Sequence, residues 1–525
     1  MLIYFVIVPI LLAVFLYLFP FERAARTIAI LAQMGLVGAS VYLFTLSREN
    51  SVVTAIGNYD DVLGIFLRAD TLSAVFILLT SFIFFIAAIY SFNENKSRLF
   101  WFLLFIWEGS LIGIFLAGDF FNLFVLTEVA TVTITILIMY DRNKRALYDG
   151  IIFFMVNIVV VQFYLLGLGY IYQLTGVLDL EAAGAAFQGL ERSQMILPYA
   201  LVMTFVALKC ALLPMFSWLP KAHSTPGAPP AVSAVLSGLQ IKGGVYLLIR
   251  FQAIFGDGAM PEFFLILGLT TALFGIILAL VQVDFKRILA CSTIAQIGLI
   301  VVAINIGNYY NYIGSLYHMV NHAVIKAALF LCAGMIVHSY GTRDITKIRG
   351  IMRQMPLVGI SMILALLGII GMPFFNGSIS KYFMMYHVEG PLFWIMLLIN
   401  LGTIMIGIKL SAMLFGRLEE KEKPTQDILQ LISVLILGLM CFGLGVFGES
   451  VMLILFNGEF RMDWFGYLEK SAIFAASLVV GYFIFNKFIK NNPYLKTIRE
   501  IELGFRGMCV TMGVFFALIL LVAGI

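Results

Sequence analysis

Five lysines stand inside long apolar stretches of this sequence, where an ammonium group is expensive to bury. They are Lys209, Lys242, Lys326, Lys381 and Lys409. A charged side chain at the centre of a membrane helix costs about 2.5–3.5 kcal/mol even on the lenient insertion scale. Five such side chains facing lipid would together rival the net stability of a whole domain. We therefore expect them to face the protein interior, water or acidic partners.

A buried lysine can carry out proton chemistry. Burial disfavours its charged form and a neighbouring carboxylate restores that form, so a lysine that gains and loses an acidic partner can take up and release a proton. The candidate partners are Glu128, Glu108 and Asp119. For any single lysine the alternative is snorkelling or a structural ion pair, and Lys326 and Lys409 suit that alternative best.

Two histidines and a lysine follow one another at intervals of four residues. His318, His322 and Lys326 would line one face of a helix. Histidine titrates near neutral pH, so this face suits a proton relay. A structural pair bonded to neighbouring hydroxyls is one alternative, and a metal site is another, although no third ligand and no HExxH glutamate lie nearby. His223, beside Lys221, receives no role.

Composition defines the setting of these residues. The chain has 525 residues, of which 62% are hydrophobic and 12% charged, and this excludes a soluble globular domain or a disordered chain. The five cysteines have no CxxC spacing, so disulfides and a zinc site are poorly supported. The net charge of +4 is too small to indicate nucleic-acid binding. No haem motif or nucleotide-binding fingerprint is visible, so we expect no cofactor and no redox centre.

Apolar runs of about twenty residues recur along the chain, each long enough to cross a bilayer as a helix. The predicted class is therefore all-α, a polytopic membrane protein with about 14 to 16 transmembrane helices. The predicted spans are 3–20, 27–46, 71–91, 99–117, 119–140, 150–172, 196–219, 229–251, 261–282, 286–306, 311–339, 356–387, 391–415, 427–447, 471–488 and 505–525.

Basic residues predict the orientation of these spans. Of the 33 lysines and arginines, 22 fall in loops that follow odd-numbered spans, six fall on the other side, and five lie within spans. The positive-inside rule then places the basic loops in the cytoplasm and both termini outside a cell membrane.

Two spans are interrupted, the seventh at Pro214 and the twelfth around Gly371 and Pro373. Irregular backbone at membrane depth survives where protein or a watery cavity surrounds it, and it often marks an ion path. Each interrupted span carries one of the lysines, and the next span carries another. We therefore expect two inverted five-helix repeats, at 99–252 and 253–416, between N-terminal helices at 1–98 and C-terminal helices at 417–525.

Six segments stand out in the sequence: GDFFNLFVLTE at 118–128, WLPKAH at 218–223, AVSAVLSGLQIKGGVYLLIR at 231–250, DFKRILACSTIAQIG at 284–298, HMVNHAVIKAALF at 318–330 and GMPFFNGSISK at 371–381. Together they resemble one known family, the antiporter-like subunits of respiratory complex I, Mrp sodium/proton antiporters and membrane-bound hydrogenase-type complexes. The first segment favours the branch that contains the D-type subunits of Mrp antiporters and the hydrogenase complexes.

The resemblance implies a role for seven residues. Glu128 and Lys209 would form the family's carboxylate–lysine pair, and Lys242 would bridge to the next group. His318, His322 and Lys326 would form the connecting relay, and Lys381 would end the line. Departures from the family pattern are the proline-rich STPGAPPA after His223, the extra acid Glu108 and the lack of a long lateral helix.

The function expected from these residues is proton translocation by one membrane subunit of a larger ion-pumping complex. Its partners would be other integral membrane subunits, and the complex would be of the hydrogenase or NADH dehydrogenase type. The alternative within the family is an Mrp-type subunit that exchanges Na+ for H+, with Thr127 and the acids as oxygen ligands. A transporter of organic solutes and a scaffold subunit without conduction are further alternatives.

Overall fold

The computed structural model describes residues 1–56, 64–416, 425–458, 461–490, 492, 494–499 and 501–524. Each of the sixteen predicted spans contains a helix, so the predicted helical membrane class is confirmed. Among the described residues, thirteen helices are long and apolar enough to cross a membrane. The other three predicted spans are the short first helix, of 16 residues, and the two interrupted helices.

The spanning helices are numbered α1 to α16, with α7 and α12 each in two halves. They are α1 Ile3–Leu18, α2 Glu22–Ser47, α3 Thr71–Ser91, α4 Arg98–Leu116, α5 Phe120–Ile138, α6 Lys144–Thr175, α7a Arg192–Lys209, α7b Trp218–Ser224, α8 Pro230–Phe255, α9 Pro261–Val281, α10 Phe285–Ile304, α11 Tyr309–Tyr340, α12a Pro356–Ile370, α12b Asn376–Met384, α13 Gly390–Ser411, α14 Ile428–Val446, α15 Trp464–Ile489 and α16 Phe505–Gly524. Short helices at Leu180–Phe187, Ile351–Gln354, Gly448–Phe456 and Tyr494–Ile498 lie between them.

Two short strands between α2 and α3 were not predicted from the sequence. Strands β1, Val52–Ile56, and β2, Ile65–Ala69, pair antiparallel, with Val52 opposite Ala69 and Ile56 opposite Ile65. Hydropathy predicts a loop for this segment because it is short and lies between two much longer apolar spans. Its β-branched residues favour a strand once a partner strand is available.

Short polar side chains fix where several spans begin. The Asp119 carboxylate accepts a hydrogen bond from the Asn122 backbone N–H at 2.6 Å and so caps α5. The Asp284 carboxylate caps α10 in the same way, through the Arg287 N–H at 2.9 Å. Such caps satisfy backbone N–H groups that a helix start leaves unpaired.

The two predicted interruptions are present at the predicted places. Helix α7a ends at Lys209, and α7b begins nine residues later at Trp218, beyond Pro214. Helix α12a ends at Ile370 and is followed by Gly371, whose φ of +84° favours glycine, and α12b begins at Asn376. Both lysines predicted for these helices therefore lie beside irregular backbone.

A π-helical turn in α8 was not predicted. It covers Leu236–Gln240 and ends immediately before the segment that carries Lys242. A π turn displaces backbone carbonyls from the regular α-helical pattern, and such turns occur frequently at functional sites.

Helices α8 and α11 are almost wholly enclosed by their neighbours, whereas α15 and α16 expose most of their surfaces. The enclosed helices carry Lys242, His318, His322 and Lys326. Ionisable groups therefore occupy the centre of the bundle, and apolar residues cover its periphery.

Two isolated backbone bridges have the same form. Asp119 pairs with Asp179 and Asp284 pairs with Asp344, in both cases antiparallel and with the same sequence separation. Each bridge joins the start of a spanning helix to the segment that follows the next spanning helix.

Candidate functional site

The site begins at Lys209, at the last turn of α7a. Its ammonium donates hydrogen bonds to the Asn157 amide oxygen at 2.7 Å and to the Thr131 hydroxyl at 3.2 Å. The ammonium also lies 5.3 Å from the centroid of the Phe205 ring. Three spanning helices, α5, α6 and α7a, thus converge on one cation.

Glu128 lies one helical turn before Thr131 on α5 and is half-buried. Its carboxylate acts electrostatically on Lys209, but no ion pair within 4.0 Å joins the two among the described residues. One carboxylate oxygen of Glu128 has no hydrogen-bond partner in the described part of the chain. The predicted pairing of Glu128 with Lys209 stays a prediction, with Asn157 and Thr131 as the direct contacts of the lysine.

Sequence reasoning missed Asn157. Its amide nitrogen donates to the Phe153 carbonyl at 2.8 Å, and this bond turns the amide oxygen toward Lys209. The only signal in the sequence was an amide within the apolar run of α6, which also contains Gln162 and Gln173, and such an amide also suits a structural hydrogen bond.

Lys242 is fully buried just after the π turn of α8. Its ammonium donates to the Ser237 backbone carbonyl, which belongs to that turn. The Ser237 hydroxyl is bonded to the Thr293 hydroxyl of α10 at 2.7 Å. The π turn therefore gives the lysine an acceptor and links α8 to α10.

The contacts of Lys326 continue this line. Its ammonium donates to the Leu289 carbonyl at 2.9 Å and to the Ser292 hydroxyl. The Thr293 hydroxyl donates to the same Leu289 carbonyl at 3.0 Å. Lys242 and Lys326 are thus connected through buried carbonyl and hydroxyl groups of α8 and α10 that are hydrogen-bonded to one another.

His318 is fully buried and bonded on both sides. Its Nε2 lies 3.0 Å from the Gln296 Oε1 and its Nδ1 lies 2.8 Å from the Ser380 hydroxyl. The Gln296 amide nitrogen faces the Thr403 hydroxyl at 3.1 Å, so the amide oxygen faces the imidazole. In neutral His318 the hydrogen therefore sits on Nε2, and Nδ1 accepts from Ser380.

His322 lies one turn further along α11, with its ring stacked at 6.1 Å from the His318 ring. It is fully buried, and neither ring nitrogen has a hydrogen-bond partner among the described residues. Lys242, Lys326 and Lys381 all act on it electrostatically. His322 therefore lies within electrostatic range of three buried lysines, including Lys381 at the end of the row.

Lys381, next to Ser380 on α12b, ends the line. Its ammonium donates to the Ile369 carbonyl and to the Asn400 amide oxygen, both at 2.8 Å. Ile369 belongs to the last turn of α12a, where the break frees a carbonyl that a continuous helix would use. Asn400 of α13 is a second amide that sequence reasoning missed.

Lys409 belongs to a different structure. Its ammonium donates to the carbonyls of Ala279, Leu280 and Gln282 at the end of α9. Cations stabilise helix C-termini in this way. These contacts are the ones expected if Lys409 has a structural role at the end of α9.

The two other candidate acids are apart from this line. Fully buried Glu108 accepts a hydrogen bond from the Gln33 amide of α2, and Asp119 caps α5. Within the described residues, no three His, Cys, Asp or Glu side chains lie close enough together to hold a metal ion.

One further imidazole was not assigned a role. His223 lies in α7b, fully buried, and its ring stacks on Phe330 at 4.6 Å. Neither ring nitrogen has a partner in the described part of the chain, and Lys242, Lys286 and Lys326 act on it electrostatically. The predicted spans end at 219 and resume at 229, so His223 falls in the predicted loop between them.

These features define a polytopic membrane protein whose enclosed helices hold a row of ionisable side chains. Residues 117–407, more than half of the chain, match the family described as NADH:quinone oxidoreductase/Mrp antiporter, transmembrane. The chain belongs to this family and is one of its antiporter-like subunits. The resemblance stated from the motifs is confirmed.

Relatives from two kinds of complex are similar to the chain. It is 30% identical over 387 residues to the D subunit of the Na+/H+ antiporter of Alkalihalophilus pseudofirmus, covering 72% of this chain and 78% of the relative. It is 28% identical over 471 residues to the N subunit of the NADH-quinone oxidoreductase of Desulforudis audaxviator, covering 82% and 92%.

The fold is similar to that of a chain in the solved Mrp complex from Dietzia sp. DQ12-45-1b. The TM-score is 0.80 at 20% identity, covering 91% of this chain and 99% of the other. At this level of identity the likeness concerns the fold alone.

Proposed function

We propose that this chain conducts protons across the membrane as one subunit of a multisubunit ion-pumping complex of the hydrogenase or NADH dehydrogenase type. The observation that carries the proposal is the position of His322, unbonded and within electrostatic range of Lys242, Lys326 and Lys381. A neutral imidazole there can accept a proton from one lysine and pass it to another. The similarity to an NADH-quinone oxidoreductase subunit supports the redox-driven type of complex.

The proposed order of transfer follows the contacts. Lys209 releases a proton toward Lys242, which is linked to Lys326 through Ser237 and Thr293. His322 and then His318 accept the proton, and the Ser380 hydroxyl transfers it toward Lys381. Among the described residues no direct contact joins Lys209 to Lys242 or Lys326 to His322, so transfer at these two steps needs water, which polar backbone at the two helix breaks can bind.

Glu128 is the proposed control point. When its carboxylate lies near Lys209, it favours the charged lysine, and when it moves away the proton leaves more readily. At about 4 Å and an effective dielectric constant near 20, such a pair would be worth about 4 kcal/mol, which sets an upper bound. A neighbouring subunit that shifts α5 would thereby drive the relay.

Replacing Lys209 tests the proposal. Lys209→Ala in the intact complex, reconstituted in vesicles, is expected to abolish coupled proton uptake, whereas Lys209→Arg keeps a cation but cannot release its proton. Cys210→Ala, at the adjacent buried position, serves as the control for packing. Unchanged proton uptake in Lys209→Ala vesicles would exclude the proposed role.

The second candidate is Na+/H+ exchange, and the similarity to the D subunit of a Na+/H+ antiporter favours it. Everted membrane vesicles distinguish the two functions. Exchange predicts that added Na+ collapses a preformed pH gradient without any electron donor. A redox pump predicts that the pH gradient forms only when an electron donor is supplied.

We further propose a cell-membrane location with both termini outside, on the basis of the 22 basic residues in loops that follow odd-numbered spans. Labelling of cysteines introduced near each terminus with a membrane-impermeant maleimide tests this orientation in intact cells. If the cysteines introduced near both termini were protected from the maleimide, the opposite orientation would hold.

We also propose that residues 99–252 and 253–416 form two inverted repeats, flanked by 1–98 and 417–525. The matching bridges Asp119–Asp179 and Asp284–Asp344 support this division. One bridge follows an even-numbered span and the other follows an odd-numbered span, so the proposed topology places them on opposite faces of the membrane.

A further inference from the structure

A cavity lies away from the proposed ion path, where α9, α13 and α15 end on the same side of the molecule. Its volume is about 450 Å³. Four cationic side chains line it: Lys409, Arg349, Lys490 and Arg499. Its described lining residues include no acid, and none of the four cations forms an ion pair with a described residue.

The cations differ in what they can still bind. Lys409 uses its ammonium on three carbonyls of α9, so it contributes charge rather than a further bond. Among the described residues, Arg499 donates only its Nε, to the Val281 carbonyl at 2.9 Å, and both terminal nitrogens of its guanidinium have no described acceptor. Exposed Lys490 has no described side-chain partner. A planar fork beside a second cation suits a phosphate group.

The charges in this cavity repel one another. Arg499 acts on Lys409 with the same sign, and among the described residues no carboxylate acts on Lys409. Asp344, whose carboxylate is bonded to the Thr346 N–H and hydroxyl, attracts Arg499 and offsets part of its charge. An anion in the cavity would relieve the remaining repulsion between Arg499 and Lys409.

The remaining walls are apolar. Phe415 and Tyr482 are 63% and 62% exposed, and Ile408 and Phe485 lie behind them. The cavity sits at the ends of spanning helices, and α15 exposes most of its surface. Apolar walls below a basic rim match a phosphate head group above acyl chains, whereas a free phosphate needs no such walls.

We propose that this cavity binds the head group of an anionic phospholipid, with Arg499 and Lys490 as its phosphate ligands. The basic loops around it belong to the side where anionic lipids are found in the proposed topology. The inference is independent of the ion path, because Lys490, Arg499 and Arg349 take no part in it.

Native mass spectrometry of the delipidated full-length chain tests the proposal. Phosphatidylglycerol is expected to bind to the wild type, and phosphatidylcholine far more weakly. The double variant Arg499→Gln, Lys490→Gln is expected to bind phosphatidylglycerol about thirtyfold more weakly. The matched control Lys487→Gln, Arg506→Gln removes two exposed charges outside the cavity and is expected to bind like the wild type.

Three outcomes would overturn the proposal. They are equal weakening in both double variants, equal binding of the two lipids, and displacement of phosphatidylglycerol by inorganic phosphate at equal concentration. A second measurement needs no variant. A photoactivatable phosphatidylglycerol should label wild-type peptides around Phe415 or Tyr482, and labelling confined to other surfaces would also contradict the site.

Discussion

The Lys209 ammonium and the Asn157 amide oxygen lie 2.7 Å apart, although they belong to α7a and α6. This bond holds a cation at the end of a broken helix without neutralising it. An amide contact leaves the lysine free to respond to a movable carboxylate, which a permanent ion pair would not. This contact with Asn157 positions Lys209 without requiring the proposed pairing with Glu128.

Asn157→Leu should slow ion transport by the intact complex about tenfold or more. The change removes a hydrogen bond to a charged group, which is worth about 1.5–3 kcal/mol, and leaves the ammonium less well positioned. Transport rates in reconstituted vesicles provide the measurement. Gln162→Leu on the exposed face of the same helix is the control and should keep the wild-type rate. Equal rates in Asn157→Leu and the wild type would show that the contact is dispensable.

Ser380→Ala should also slow transport, because it removes the group that receives a proton from His318. When His318 is protonated, its Nδ1–H donates to Ser380, whose own hydrogen can turn to the Asn376 carbonyl at 3.1 Å. Alanine leaves that N–H without an acceptor, at a cost of about 1–3 kcal/mol.

The matched control for Ser380→Ala is Ser378→Ala on the same helix. The Ser378 hydroxyl is bonded to the Tyr467 hydroxyl at 3.0 Å and faces away from His318. Transport in reconstituted vesicles should fall at least tenfold in Ser380→Ala and should stay near the wild-type rate in Ser378→Ala. Similar losses in both variants would indicate a general effect of packing in α12b.

Periodicity and hydropathy were sufficient to predict the spanning helices. A twenty-residue apolar run has few alternatives at membrane depth, since the helix satisfies all of its own backbone groups. The pairing of β1 with β2 was not predicted because a strand is specified by its partner strand, which lies elsewhere in the sequence. The π turn before Lys242 was not predicted either, because it depends on packing between helices.

The ionisable residues of the site were predictable because charge is costly in an apolar run, so Lys209, Lys242 and Lys381 stood out. The neutral hydrogen-bond partners of these lysines were not predictable. Asn157 and Asn400 cost less to bury, and a single amide in a span has many structural uses. Which amide faces which lysine depends on helix rotation and contact across the bundle, and sequence spacing within one helix does not encode that.

Glu108, which lies away from the proposed relay, allows a test of whether a buried carboxyl group is charged. It is fully buried, its partner is the neutral Gln33 amide, and no charged group acts on it. A carboxylate without a cation would be very costly there, so we expect the uncharged acid. Glu108→Gln keeps that shape and should change the free energy of unfolding by less than about 1 kcal/mol, whereas Glu108→Ala should cost about 2–4 kcal/mol.

Thermal unfolding of the purified variants in one detergent compares the two substitutions at Glu108. Glu108→Gln should unfold close to the wild-type temperature and Glu108→Ala well below it. If Glu108→Gln lost as much stability as Glu108→Ala, the negative charge itself would be required, and the neutral pairing with Gln33 would be wrong.

The ion pair between Asp70 and Arg250 predicts a dependence of stability on pH. Their side chains are 2.6 Å apart at the end of α3 that adjoins β2. Burial acts to raise the pKa of Asp70, but hydrogen bonding and attraction to the Arg250 guanidinium lower it below its ordinary value of 3.8. The folded state then binds a proton more weakly than the unfolded state, so the pair stabilises the fold above pH 3.8 and loses this effect as the pH falls through the lowered pKa.

Asp70→Asn isolates this charge, because asparagine can still cap α3 through the Ser73 N–H as Asp70 does at 2.9 Å. The Asp70 side chain is 41% exposed, so the substitution should lower the free energy of unfolding by only about 1 kcal/mol at neutral pH. Unfolding by denaturant at a series of pH values should show this difference shrinking below about pH 4. Asp463→Asn, at a cap without a described ion pair, is the control. A difference between the wild type and Asp70→Asn that persisted undiminished at the lowest pH would show that the loss comes from the cap and not from the charge.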